Sequence, residues 1–341
     1  MSSWTPVRPW NVLPQRPADR KRIDSVMNPK NMVWVPGGAF QMGSDEFYPE
    51  ERPVHTARVG GFWMDEHPVT VAEFRRFIKA TSHVTVAEMT PDPMDFPTAE
   101  PGQLVPGSLV FTPPDRPVPL DDFRHWWSWV PGAQWRHPEG PGSTLHGLEQ
   151  HPVTHVAYPD ALAYAEWAGK ALPSEAEWEF AARGGLESAT YAWGDEFAPR
   201  GRMMANTWQG DFPVHNDLLD GYARTSPVGK FPPNGYGLSD ITGNVWEWTS
   251  EDYTSSHTSA HGSSEEVQAA SDPPVCCGPQ SRPTSAQSAQ PEAGSPSTKV
   301  IKGGSHLCAP NYCLRYRPAA RQSQTTDTST SHLGFRCIVR P

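Results

Sequence analysis

The chain has 341 residues, a hydrophobic fraction of 37%, a charged fraction of 19% and a formal net charge of -10. The acidic balance argues against a general nucleic-acid binder, which would present a basic surface, and no stretch approaches the roughly 20 apolar residues of a membrane-spanning helix. With 28 glycines, 38 prolines and 14 tryptophans, much of the backbone is expected in turns and irregular loops, with large aromatic side chains filling the core; this reads as a loop-rich α+β protein.

Residues 1–30 read as a polar, proline-containing tail with no signal-peptide pattern, followed by one irregular domain over 31–341. The stretch "MVWVPGGAFQMGS" (32–44) reads as a strand, a turn and a second strand. Thr70 and Glu73 form a capping box, and Val71, Phe74 and Ile78 recur on one face, so an amphipathic helix follows. Residues 90–150 are dense in Pro, Gly and Trp, and "DDFRHWWSWVPGAQW" (121–135) reads as an aromatic loop. The next helix has Pro159 near its start and Gly169 near its end. Another is capped by Ser174 with Glu177 and closed by Gly184. "VWEWTS" (245–250) alternates as a strand, with Trp246 and Trp248 on one side. Residues 255–298 read as a low-complexity Ser/Pro-rich insertion carrying Cys276 and Cys277, and "KVIKGGS" and "LGFRCIVR" as closing strands.

No phosphate-binding loop, dinucleotide fingerprint, His-Glu-x-x-His or nucleophile elbow is present. The absence of a leader points to the cytoplasm, where the five cysteines are expected to be free, metal-bound or catalytic. Cys308 and Cys313 stand out. Their spacing is not that of a zinc ribbon, and on a helix they would point apart. A loop bent at Pro310 would bring them together, and two thiolates suit a soft ion such as Cu(I). Arg315, Arg317 and Arg321 would then favour the thiolates. Two buried thiols, or one strained disulfide, explain the same spacing. Two oxygen-rich loops, "MANTWQGDFPVHNDLLDGY" (204–222) and "GYGLSDITGNVWEW" (235–248), offer donors of the kind calcium takes, although Asp, Asn and Gly are also ordinary turn residues.

In order, "MVWVPGGAFQMGS", "HPVTHVAYPDALAYAEWAGKALPSEAEWEFAARGG", "ANTWQGDFPV", "PPNGYGLSDITGNVWEWTS", "KGGSHLCAPNYCLRYRPAAR" and "HLGFRC" resemble the formylglycine-generating enzymes, the sulfatase-modifying factor family. The resemblance implies a variant of the C-type lectin fold. It also implies a copper-dependent oxidase that converts a cysteine in a sulfatase Cys-x-Pro-x-Arg segment to formylglycine, using O2 and a thiol reductant. Carried over, Cys308 and Cys313 hold Cu(I) and form the redox pair, while Ser305 and Tyr312 lie beside the oxygen and substrate pocket. One structural calcium maps to Asn206, Thr207, Asp220 and Tyr222, a second to Asp240, Gly243, Val245 and Glu247. Thr207, Tyr222, Gly243 and Val245 would act through their carbonyls. Many relatives carry a histidine after the first cysteine, where this chain has Ala309. Positions that form disulfides in secreted relatives are Ala165, Ala182 and Pro318 here, leaving Cys337 unpaired. The alternative is a non-catalytic C-type-lectin-like binding module on the same scaffold. A related iron-dependent sulfur-joining oxidase would need an extra helical domain for its three histidines.

Overall fold

Short apolar runs separated by glycine and proline give short strands. In this computed structural model, which describes residues 29–94, 102, 104–257 and 297–341, the first run folds as β1 (Met32–Val35) and β2 (Gly38–Met42). They do not pair with each other. β2 forms a hairpin with β3 (His55–Val59), while β1 pairs antiparallel with β4 (Phe62–Asp65). Helix α1 (Val71–Thr81) starts at the expected capping box: Thr70 accepts the Glu73 amide and the Glu73 carboxylate accepts the Thr70 amide. Its buried face adds Phe77 to Val71, Phe74 and Ile78.

The aromatic stretch departs from the expected loop. Residues Trp127–Pro131 form β6, paired in register with β5 (Gly107–Phe111). Trp126 and Trp127 are buried and Trp129 is exposed. A strand is specified by its partner as much as by its own pattern, and here the partner, "GSLVF", lies outside the stretch that the tryptophans draw attention to.

Helices α2 (Tyr158–Trp167) and α3 (Glu175–Arg183) follow, the latter with the Ser174–Glu177 box and Gly184 left-handed at φ 58°. Strands β7 (Trp246–Asp252), β8 (Thr298–Lys302), β9 (Arg321–Thr325) and β10 (Leu333–Gly334) make one sheet, ordered β10-β7-β8-β9. "LGFRCIVR" is two strands: β10 runs parallel to β7, and β11 (Ile338–Val339) joins β4 antiparallel. Residues 1–28 of the expected tail (1–30) and most of the insertion, with Cys276 and Cys277, lie outside the described residues. The result is α+β, with few helices and several small sheets. No helix of the described residues is long and apolar enough to cross a membrane.

The helices pack on β7 and β8 through Phe74, Tyr164, Trp246, Trp248 and Ile301, in a cluster that also contains Cys308, Cys313 and Cys337. Beside it, Glu179 of α3 is fully buried and accepts from Gly43 N, Arg183 and Lys302 Nζ, the last at 3.0 Å. Burial alone would raise its pKa; Lys302 and Arg183 overcome this and hold it at about 2. Because the folded value lies below the ordinary 4.5, Glu179 stabilises the fold above pH 4.5, and that contribution is lost as pH falls toward 2. Urea unfolding of Glu179→Gln and the parent from pH 7 to pH 2 should give curves that converge below pH 4.5; a constant difference would refute this assignment.

Candidate metal and thiol centre

Strand β8 ends at Lys302, and two glycines turn the chain. Gly304 sits at φ 67°, and a Cβ there would lie 2.8 Å from the Arg315 carbonyl, so only glycine lets the segments on either side of the cysteines approach this closely. The chain between them is a series of turns rather than a helix: Cys308 N donates to Ser305 O (3.0 Å), and Tyr312 N and Cys313 N donate to Ala309 O (3.1 and 2.8 Å).

Four expected residues meet on this loop. Cys308 and Cys313 are not joined in a disulfide and are buried, 1% and 3% exposed. Both act on the same neighbour, Tyr316, whose hydroxyl is pushed well up in pKa by burial first and then by Tyr191, Cys308 and Cys313. Ser305 is buried; its amide donates to Cys308 Sγ (3.4 Å) and its Oγ accepts the Leu307 amide (3.2 Å). The Tyr312 ring stacks on Phe212 (centroids 4.7 Å, 6°) and meets Trp126 edge-on at 5.5 Å. These rings, with Trp208 and Phe111, form an aromatic wall beside the cysteine turn. Ala309 is fully buried against that wall.

The arginines do not play the expected part. Arg315 pairs with Glu50 (2.6 Å), Arg317 takes both oxygens of Glu51 (2.9 and 2.5 Å), and Arg321 takes both oxygens of Glu175 (2.8 and 2.9 Å). All six side chains are buried. Each cation is already matched by a carboxylate, so the arginines are not spare positive charge for thiolates. They bolt the cysteine loop to the turn at Pro49–Glu51 and to α3. Cys337 is free and buried in the same cluster as Ala165, and burial pushes its thiol pKa well up.

The two oxygen-rich loops touch the cysteine turn and each other. Trp208 N donates to Cys308 O (3.0 Å) and Asn244 N to Asn206 O (2.8 Å). The Asn244 carbonyl accepts both His306 N and His306 Nδ1, the latter at 2.8 Å. Burial lowers the His306 pKa to about 4, so the ring is neutral and its Nδ1 carries the proton.

In the first loop, Asn206 Oδ1 is buried without a hydrogen-bond partner. Asp220 lies close by: its carboxylate accepts Thr207 N (3.0 Å), Tyr222 N (2.9 Å) and Gln209 Nε2 (2.9 Å). An orphaned amide oxygen next to a carboxylate and the carbonyls of Thr207 and Tyr222 fits a hard cation. In the second loop, Asp240 and Asn244 have φ of 50° and 60° and Gly243 of 76°. Asp240 accepts Gly229 N (2.6 Å). Glu247 is held by Arg336 (2.8–3.0 Å) and by Trp178 Nε1 (2.8 Å), so both its oxygens already have donors. Burial raises the pKa of both Asp240 and Glu247; the Gly229 amide, Arg336, Asn244 and His67 oppose this at Asp240, and Arg336 and Trp178 oppose it at Glu247. Among the described residues no three His, Cys, Asp or Glu side chains gather into a metal cage. A metal here would rest on the two sulfurs or on mixed carbonyl and amide oxygens.

Sequence reasoning did not single out Tyr48, Glu50, Glu51, Phe212 or Tyr316. The acidic run before Arg52 is the one available signal for the carboxylates, since buried arginines demand partners.

The sulfatase-modifying factor enzyme 1-like domain profile matches residues 19–341. The chain is 52% identical to the formylglycine-generating enzyme of Mycobacterium tuberculosis, over 91% of this chain and 98% of the relative. It is 45% identical to that of Thermomonospora curvata, over 92% and 94%. Among solved structures, PvdO of Pseudomonas aeruginosa matches with a TM-score of 0.56 at 24% identity, covering 90% of this chain and 93% of that one, and shares the fold.

Proposed function

Since the chain belongs to the sulfatase-modifying factor family, we propose that it oxidises a cysteine in a sulfatase Cys-x-Pro-x-Arg segment to formylglycine. The observation that carries this reading is the pair of buried cysteines, Cys308 and Cys313, on one glycine-hinged turn beside an aromatic wall.

Cys308 and Cys313 would hold Cu(I), a soft ion suited to two thiolates, which when bound supplies the reaction with O2. O2 takes up four electrons, two from the substrate cysteine and two from two molecules of a thiol reductant. The products are the aldehyde, hydrogen sulfide, water and the reductant's disulfide. This chain's own residues bind and orient. The Ser305 amide fixes the Cys308 sulfur. The buried surroundings exclude bulk water from both thiols. Tyr312, backed by Phe212 and Trp126, gives a rigid apolar face against which the proline of an extended peptide can set its register. The reading places the chain in a reducing, cytoplasmic setting, where cysteines stay reduced.

Calcium is structural in this reading. It would sit on Asn206, Thr207, Asp220 and Tyr222, where Asn206 Oδ1 awaits a partner. At the second position, Asp240, Gly243 and Val245 would supply the site and Glu247 would be shared with Arg336. Since Asn206 bonds to Asn244, and Asn244 to His306, ordering these loops steadies the turn that carries Cys308.

Incubating the reduced chain with copper, a thiol and a Cys-x-Pro-x-Arg peptide in air should yield a hydrazide-reactive aldehyde peptide. Cys308→Ser and Cys313→Ser should each drop the yield to background while melting as the parent does; activity in both would refute the thiol pair's role. Removing calcium should lower the melting temperature reversibly, by the equivalent of about 3 kcal/mol if the parent is measured near 100-fold above its dissociation constant. Asn206→Ala should reduce that difference by the share of the first site. Superimposable curves with and without calcium in the parent would rule the ion out.

A further inference from the structure

The two thiols are anchored from different sides. Cys308 is tied to the exit of β8 through Ser305 and to the first oxygen-rich loop through Trp208. Beyond Cys313, the chain is gripped by residues 47–51, some 266 positions earlier. Tyr48 Oη accepts the amide of Leu314, the residue next to Cys313, at 3.0 Å. The Tyr48 ring lies 4.0 Å from the Arg315 guanidinium, and Phe47 lies 3.6 Å from that of Arg317. Glu50 and Glu51 take the charges of those arginines. The gripping segment is itself fixed. Ser44 N donates to Glu51 O, Gly43 N donates to Glu179, and Arg183 donates to Gly43 O.

Between the anchors, Tyr312 N and Cys313 N both donate to Ala309 O, and Tyr312 stacks on Phe212. The amide of Leu314, directly after Cys313, is held from outside the turn. We propose that Tyr48 is a positioning residue: its hydroxyl fixes the main chain at Leu314 and thereby sets the Cys313 sulfur relative to that of Cys308. This rests on the reading that the two thiols work as a pair. Glu50 and Glu51 hold the arginines through ion pairs, whereas the Tyr48 hydroxyl accepts the amide beside the cysteine. Phenylalanine removes that acceptor and keeps the ring against Arg315.

The test uses the full, reduced, metal-free chain and two readouts. Cu(I) affinity is measured by competition with bathocuproine disulfonate. The Cys308–Cys313 thiol–disulfide equilibrium is measured in glutathione buffers, the pair giving two electrons and two protons to glutathione disulfide. Tyr48→Phe should weaken Cu(I) binding about tenfold, the worth of one hydrogen bond, and shift the disulfide equilibrium while melting close to the parent. Arg340→Ala, which removes a surface pair with Glu177, is the control and should leave both readouts in place. A change in either readout for Tyr48→Phe beyond that control supports the positioning role. Agreement of Tyr48→Phe with the parent in both readouts, or an equal change in Arg340→Ala, overturns it. If the parent takes up no Cu(I), the copper reading fails, and the disulfide equilibrium alone decides the role of Tyr48.

Discussion

The pairing of buried arginines with buried carboxylates is the constraint on which this structure depends. Arg315, Arg317, Arg321 and Arg336 all come from the last part of the chain, and their carboxylates come from Glu50, Glu51, Glu175 and Glu247. A loop-rich chain has few ladder hydrogen bonds to hold distant segments together. Guanidinium–carboxylate pairs, two-pronged at Arg317, Arg321 and Arg336, do that work with directional bonds. Taking these charges out of water is costly, and a neutral, well-packed substitute need not be less stable. What the pairs supply is register: breaking one strands its partner at a cost of about 3–5 kcal/mol, so each arginine admits one arrangement of its loop.

That register delivers the thiol turn to its place. The β10 and β11 strands close two different sheets, so the C-terminal residues pass across the core rather than around it. The arginines following Cys313 pull the turn against the 47–51 segment, and the glycines before Ser305 let the chain pass behind it. The thiols then lie among neutral or compensated groups: a protonated Tyr316, a neutral His306 and arginines with their carboxylates. Such surroundings favour a soft, low-charge complex over a bare thiolate, and they suit the proposed oxidation better than simple thiolate nucleophilic chemistry.

How much of this is legible in the sequence depends on how local the signal is. The Thr70–Glu73 and Ser174–Glu177 boxes can be read because a cap lies within four residues of its partner. Gly184 can be read for the same reason. The strand at Trp127–Pro131 is hidden, because its partner and the packing of Trp126 decide it. The bonds of Glu51 to Arg317 and of Tyr48 to Leu314 each span 266 positions, beyond any periodicity. Cys308 and Cys313 stand out by spacing, but spacing alone leaves a disulfide, two inert thiols and a metal clip open and leans slightly to the first two. The resemblance implies the metal clip, and the turn at Ala309 supplies the local geometry. The carboxylate partners of Arg315, Arg317 and Arg321 are not legible, because proximity in sequence says nothing of which way a guanidinium faces.

The most direct measurement is copper K-edge X-ray absorption on the reduced full chain loaded with one equivalent of Cu(I). One cuprous ion bound by the sulfurs of Cys308 and Cys313 predicts a first shell of sulfur alone, with one sulfur lost in Cys313→Ser. A shell of nitrogen or oxygen, or a spectrum untouched by that substitution, would contradict it.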